Sequence, residues 1–178
     1  MDLHRSYTLP RHRLQLRCRT QNRWLTGCVT TTRRRLADLL NSEESSSVLV
    51  VDDAVVELDG QETRFVLSHV NLSTSTILFA MPIEDTPRPP DIRIRSTRRV
   101  ERMLVGVGPY EIEGDLYRLP ESRPREVLAS ISSQFIVLAE AIIRPAGSPD
   151  PLGTYEAVLV NRQHIEFIGL APGAEERR

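Results

Sequence analysis

Two kinds of side chain in this sequence could do chemistry: carboxylates inside apolar runs, and clustered arginines. Asp53 interrupts the apolar run from Val48 to Leu58, and Glu140 interrupts the run from Phe135 to Ile143. Two carboxylates act as acid and base when their environments separate their pKa values. They can equally face solvent through strand alternation or pair with arginine, and we interpret them as structural.

Arginine supplies all of the positive charge, because the 23 basic residues include no lysine. Its guanidinium makes bidentate contacts with phosphate and carboxylate. Nucleic-acid sites often interleave aromatic residues with basic ones, but only Trp24 lies near a cluster. The clusters therefore predict either phosphate contacts or charge that is solvated or faces protein. The candidate anion or partner contacts are Arg33, Arg34, Arg35, Arg93, Arg95, Arg98 and Arg99.

No motif for catalysis or metal binding is present. The four histidines and two cysteines lack the spacing of a metal site, which needs three or four converging ligands. A phosphate-binding loop needs lysine, and no Gly-x-Ser-x-Gly nucleophile motif occurs. We therefore predict no catalytic residue, no cofactor and no metal, and hence a protein that is not an enzyme.

The elements that would position these residues are mostly strands. Hydrophobic residues make up 40% of the chain and aromatics only 5%, so the cores must consist largely of Val, Ile and Leu, which favour strands. The pattern occurs twice, which predicts an α+β, predominantly β fold of two tandem small β-sheet or partly open barrel repeats, each β-β-α-β-β-β. The positions expected to be equivalent are Gly27 and Gly114, Asp53 and Glu140, and Asn71 and Asn161.

The predicted domain boundaries follow composition. Residues 1–12 form a basic N-terminal arm, 13–83 the first β-rich repeat, 84–102 a Pro- and Arg-rich linker, 103–170 the second repeat and 171–178 a disordered tail. The helices are expected at 32–41 and 123–130.

A hairpin around Gln21 and Asn22 is predicted from the alternation of apolar and polar residues on both sides of a polar turn. In that register Cys18 faces Leu25 and not Cys28, which argues against a disulfide. Reduced thiols and the lack of an apolar leader at the N-terminus predict a cytoplasmic protein.

The run from Tyr110 to Pro120, followed by Phe135 to Ala141, resembles an uncharacterised family of small bacterial β-rich proteins. In that family an aromatic-x-Ile-x-Gly strand leads to a Leu-Pro turn, a short helix and a Phe-Ile strand. The resemblance implies a fold but no activity. The run from Val158 to Ile168 also resembles the last two strands of Sm-like barrels, although a helix between strands two and three departs from their order, so RNA binding is not implied.

The leading functional hypothesis is a non-enzymatic scaffold, adaptor or assembly subunit that acts through protein–protein contacts of its two domains. Residues 1–35 contain nine arginines and one acid, whereas residues 36–85 contain ten acids and one arginine. Such blocks neutralise each other within the fold or meet complementary blocks on a partner, including a second copy. The alternatives are an Arg-mediated nucleic-acid-binding module and a small-molecule sensor with a site between the repeats. No 18-residue apolar run exists, so no membrane insertion is expected.

Overall fold

The residues that the structure describes form one antiparallel sheet of ten strands, and these strands do not close into a barrel. The computed structural model describes residues 10–43, 47–60, 63–83, 99–118 and 132–172. We call residues 10–83 the N-terminal half and residues 99–172 the C-terminal half. Within these ranges the predicted predominance of strands is confirmed.

Each half contains five strands. Those of the N-terminal half are β1 His12–Arg19, β2 Arg23–Thr31, β3 Val48–Leu58, β4 Arg64–Ser73 and β5 Phe79–Pro82. Those of the C-terminal half are β6 Arg99–Val107, β7 Tyr110–Arg118, β8 Phe135–Pro145, β9 Gly153–Asn161 and β10 Ile165–Leu170. Helix α1 spans Leu36–Leu40, and short 3-10 turns span Thr74–Thr76 and Arg162–His164.

The strand order across the sheet is β10-β6-β7-β8-β9-β5-β1-β2-β3-β4. In each half the last strand therefore lies beside the first, and the second, third and fourth follow in turn. The halves meet where β9 pairs with β5. This arrangement leaves β10 at one edge of the sheet and β4 at the other.

The first hairpin has the register that its alternating residues predict. Cys18 pairs with Leu25, and Leu16 pairs with Gly27. Both cysteines are free and buried, which confirms the predicted absence of a disulfide between them. Burial also raises the pKa of the Cys18 thiol to about 12.

Two glycines lie where the sheet bends. A Cβ on Gly27 would lie 2.5 Å from Val51 Cγ1 and 2.8 Å from the carbonyl oxygen of Asp52. A Cβ on Gly114 would lie 2.9 Å from Leu138 Cβ. The strand register shifts at both glycines, as at a β-bulge. Close backbone approach is thus the reason for glycine at each position.

The residues opposite these glycines have left-handed backbone conformations. Asp53 has φ of 50° and Glu140 has φ of 46°. Non-glycine residues rarely adopt this region, and short polar side chains are favoured there. The acids predicted to be equivalent therefore share a backbone role at the two bulges.

Two hydrophobic cores lie against the sheet, and each contains side chains from both halves. One core combines residues of the N-terminal half and α1 with Phe135 and Leu159. The other combines residues of the C-terminal half with Leu78, Phe79 and Met81. Packing across β5 and β9 therefore makes the described residues one body.

The predicted boundaries differ from the structure in detail. Strand β1 begins at His12, inside the predicted arm, and β6 begins at Arg99, inside the predicted linker. Helix α1 lies between β2 and β3 and is shorter than the predicted helix over 32–41. The helix predicted at 123–130, most of the linker and most of the tail lie outside the described residues.

Candidate functional site

The contact between the halves is the first of two regions that distinguish this sheet. Phe79 pairs with Val160, and Ala80 pairs with Leu159. The backbone N–H of Asn161 donates to the carbonyl of Leu78 at 2.9 Å. Because Phe79 and Val160 are fully buried, the contact excludes water. We call this contact the junction.

Two asparagine side chains satisfy backbone groups across the junction. The buried amide of Asn161 donates to the carbonyl of Ile77 at 2.9 Å. Asn41, which follows α1, donates to the carbonyl of Phe135 at 3.0 Å and accepts from its N–H at 2.8 Å. Buried polar groups need such partners, so the junction is specified by polar contacts as well as by apolar packing.

An aromatic cluster lies at one end of the junction. Trp24, Phe79 and Tyr110 contact one another edge to face, with centroid separations of 5.2 to 6.4 Å. The guanidinium of Arg19 lies 5.3 Å from the Trp24 ring and 5.2 Å from the Tyr110 ring. These contacts are typical of cation–π packing, and they join the two halves through their first hairpins.

Arg19 holds a polar position in the alternation of β1, yet it is buried. Its side chain is only 1% exposed, whereas its partner Asp59 is 50% exposed. Arg19 Nη1 donates to Asp59 Oδ1 at 2.6 Å, and Nη2 contacts the second carboxylate oxygen. This hydrogen bonding holds the pKa of Asp59 below its usual range. A buried charge needs such a partner, and 40 residues separate the pair in sequence.

The open edge of the sheet at β4 is the second region. One side of β4 pairs with β3, and no strand among the described residues pairs with the other side. Phe65, Val66 and Leu67 are exposed there, Val66 to 79%. A long exposed strand edge with apolar side chains is a template for pairing with another chain.

A groove of about 790 Å³ lies beside this edge. Its apolar wall consists of Leu25, Val56, Phe65, Leu67, Val70 and Leu72. Its polar wall includes the turn Thr20–Arg23, the predicted site residue Asn71, and His164 from the C-terminal half. His164 Nε2 lies 2.6 Å from the carbonyl oxygen of Ser75. The groove therefore combines an apolar wall with a polar one, and binding sites commonly pair apolar surface with polar groups.

The opposite edge, at β10, also exposes apolar side chains. Phe167 is 48% exposed, and Leu170 is exposed as well. The Phe167 ring packs directly over the backbone of Gly106. Strand β10 pairs with β6 on one side, and within the described ranges its other side has no neighbour.

The predicted arginine contacts are only partly placed. Arg33, Arg34 and Arg35 are exposed just before α1. A hollow of about 580 Å³ there is lined by Thr32, Arg33, Arg34, Ala37, Asp38, Asn41 and Ser42. Arg99 opens β6, whereas Arg93, Arg95 and Arg98 lie outside the described residues.

Several other arginines pair with acids of the same chain. Arg102 Nε donates to Glu113 at 3.0 Å, and its Nη1 donates to Asp115 at 3.0 Å. Partial burial alone would raise the pKa of Glu113, but Arg102 and Arg144 together lower it. In the N-terminal half the ion pairs are Arg13 with Asp53, Arg17 and Arg64 with Glu57, and Arg19 with Asp59. Part of the segregated charge is thus neutralised within the fold.

The structure does not bring Asp53 and Glu140 together. Four strands separate β3 from β8 in the sheet. Asp53 pairs with Arg13, and the backbone carbonyl of Glu140 accepts from Arg102 Nη1 at 2.8 Å. Across the described ranges no group of three or more His, Cys, Asp or Glu residues could hold a metal ion.

The two asparagines predicted to be equivalent occupy different places. Asn161 precedes a 3-10 turn and pairs with Phe135, the first residue of β8. The residue with this place in the N-terminal half is Ser73, which pairs with Val48 at the start of β3. Asn71 lies two residues earlier and is exposed.

No sequence motif marks the residues at the junction. The sequence indicated strands and turns. It did not indicate that β5 pairs with β9, because these strands belong to different halves and are distant in sequence. One available signal was the recurrence of Ile-x-Phe, at Ile77 to Phe79 and at Ile165 to Phe167. It marks β5 and β10, the last strand of each half.

Within the described residues no helix is both long and apolar enough to cross a membrane. Comparison of the chain with protein-family models, with curated proteins and with solved structures finds no match in any of the three.

Proposed function

We propose that this chain is a non-enzymatic assembly subunit or scaffold that acts through protein–protein contacts at the β4 edge. The observation that carries the proposal is the outer side of β4, which no described strand pairs and where Phe65, Val66 and Leu67 are exposed beside a groove with an apolar wall. Native sheets commonly protect such edges with charge, proline or a covering segment. An edge that is apolar instead fits addition of a strand from a partner.

We also propose that the two halves are tandem copies of one β-rich domain. Leu16 pairs with Gly27, and Met103 pairs with Gly114. Three residues further along each strand, Arg19 pairs with Phe79 and Gly106 pairs with Phe167. Asp53 and Glu140, which have left-handed φ, each lie five residues after the start of the third strand of their half. A domain that already pairs edge to edge with its own copy supports a role in assembly.

The test is retention of partners by an edge variant. Val66→Lys places a charge on the open edge, where it disfavours strand pairing. Val137→Lys is the matched control, since Val137 is an exposed valine on the central strand β8. Tagged wild type and both variants are incubated with extract of the cells that encode the protein, and the retained proteins are quantified.

The wild type and Val137→Lys should retain the same specific partners, and Val66→Lys should lose most of them. Equal retention by all three proteins would contradict the proposal. Circular dichroism and thermal unfolding of each variant establish that the comparison is between folded proteins.

Phosphate or nucleic-acid binding is a second candidate, supported by the hollow beside Arg33 and Arg34. It predicts retention on random RNA or DNA that falls steeply as salt is raised, because binding releases counterions from the phosphates. Replacing Arg33, Arg34 and Arg35 with alanine should abolish the retention. No retention at low salt would eliminate this candidate.

A further inference from the structure

The two open edges of the sheet are the same kind of edges that meet inside the molecule. At the junction, the fourth strand of the C-terminal half, β9, pairs with the last strand of the N-terminal half, β5. The strands left without a second neighbour in the described structure are the fourth strand of the N-terminal half, β4, and the last strand of the C-terminal half, β10. Pairing of a fourth strand with a last strand therefore occurs once within the chain. Among the described residues, one further fourth strand and one further last strand lie at the two ends of the sheet.

From this we propose that copies of the chain join head to tail, with β10 of one copy paired antiparallel to β4 of the next. The inference rests on the proposed function, since it names a second copy of this chain as the partner of the β4 edge. A contact between two different surfaces repeats from copy to copy, and it closes into a ring when the rotation allows.

The junction predicts the register of this contact. Phe79 corresponds to Phe167 and Ala80 to Ile168, because they hold the same places opposite β1 and β6. Asn161 and Ser73 hold matching places, because each pairs with the first residue of the third strand. The two residues before them therefore match as well: Val160 corresponds to Leu72, and Leu159 corresponds to Asn71. Phe167 of one copy should therefore lie opposite Leu72 of the next, and Ile168 opposite Asn71.

The groove beside β4 has the shape that this register requires. Phe79 is fully buried against the C-terminal core, beside Ile112, Ile143 and Val158. The residues with these places in the N-terminal half are Leu25, Val56 and Val70, which form the apolar wall of the open groove. Phe167, which is 48% exposed in a single chain, would enter this groove in the next copy.

Charge at the contact is complementary. Leu78 Cδ1 lies against the turn of the C-terminal hairpin, 3.2 Å from where a Cβ on Gly108 would be. In β10 the residue that corresponds to Leu78 is Glu166. In the N-terminal half the turn that corresponds to the one at Gly108 ends at Arg23, which lines the groove. The contact therefore places a carboxylate of one copy beside a guanidinium of the next.

Disulfide cross-linking of two different variants tests the register directly. Asn71→Cys is made in one batch of full-length protein and Ile168→Cys in another, and the two are mixed under mild oxidation. Paired positions in an antiparallel contact have a Cα separation that a disulfide spans, so we expect about tenfold more linked dimer in the mixture than in either batch alone. Mixing Val66→Cys with Ile168→Cys is the control, because five residues along a strand displace the thiol by roughly 17 Å.

Strong linking of Asn71→Cys alone would show that β4 pairs with β4, and equal linking in the control would show unspecific collision. Either result would overturn the inference. Sedimentation of the unmodified protein gives an independent reading: we expect a mass above one chain that rises with concentration and is lost in Phe167→Lys, because Phe167 lies in the proposed contact and is 48% exposed in a single chain. A wild type that remains a single chain overturns head-to-tail joining. Loss of other partners by Val66→Lys would then still support the proposed function, so the two failures are distinguishable.

Discussion

Strands β9 and β4 are each the fourth strand of their half, yet one is covered and the other is open. At β9 the neighbouring strand β5 buries Phe79 and Val160 completely. At β4 the residues along the outer side include Val66, which is 79% exposed. The fourth strand therefore has a strand partner on its outer side in the C-terminal half, whereas no described strand covers the outer side of β4.

The largest difference between the two edges should appear at Phe79 and Phe167. Phe79→Ala removes a fully buried ring and should lower the free energy of unfolding by about 4 kcal/mol. Phe167→Ala removes a ring that is 48% exposed, and in dilute solution should cost about 1 kcal/mol. Urea unfolding of both variants at low protein concentration measures the difference.

Phe79→Leu is the control for shape, and it should retain most of the stability because it leaves a smaller cavity than alanine. Similar losses for Phe79→Ala and Phe167→Ala in dilute protein would show that the two edges are not different in the way that their exposure indicates.

The second-largest difference in stability should come from the polar contacts at the two edges. Asn161→Ala leaves the buried carbonyl of Ile77 without its donor and should cost about 2 kcal/mol. Ser73 has the same place at the open edge, where its hydroxyl lies 2.9 Å from that of Ser75. Ser73→Ala should change stability by less than about 0.5 kcal/mol. Thermal unfolding of both variants would contradict the comparison if Ser73→Ala were the more harmful.

Much of the local structure could be predicted because it depends on neighbours in sequence. The alternation around Cys18 and the polar turn after Arg19 are sufficient for the hairpin and its register. The glycines at 27 and 114 were predicted to be equivalent, and a Cβ at either would overlap the next strand. Period-2 patterns and glycine both report short-range geometry.

The features that depend on distant partners could not be predicted. Arg19 occupies a polar position in the β1 alternation, but Asp59 and the ring of Tyr110 make its burial possible. The matching Val-Asn pairs suggested that Asn71 corresponds to Asn161, whereas the registers of β4 and β9 match Ser73 to Asn161. Similar dipeptides in strands do not establish register, since a shift by two residues preserves the face.

The Arg19–Asp59 pair gives the junction a dependence on pH. Its hydrogen bonds lower the pKa of Asp59 in the folded state, so its stabilisation is present above the ordinary carboxyl pKa of about 4 and is lost as pH falls through the folded value. Asp59→Asn should therefore cost about 1.5 kcal/mol at pH 7, and less as the pH falls below about 4.

Urea unfolding of Asp59→Asn and wild type between pH 3 and pH 7 measures this convergence. Asp53→Asn is the matched control: Asp53 also pairs with an arginine, but both side chains are exposed, so its effect should be small and should not vary with pH. A constant difference between Asp59→Asn and wild type across this range would assign the effect to packing and not to charge.

The smallest effects should come from the two bulges, where the halves are expected to behave alike. Asp53 and Glu140 have φ of 50° and 46°, a conformation that glycine adopts without a steric cost and alanine does not. The glycine variant should therefore be more stable than the alanine variant by about 1 kcal/mol at both positions. At Val137, whose own φ is not left-handed, alanine should be the more stable. If only one bulge favoured glycine in thermal unfolding, the two would not share a backbone role, and the correspondence from which the β10–β4 register is counted would lose one of its supports.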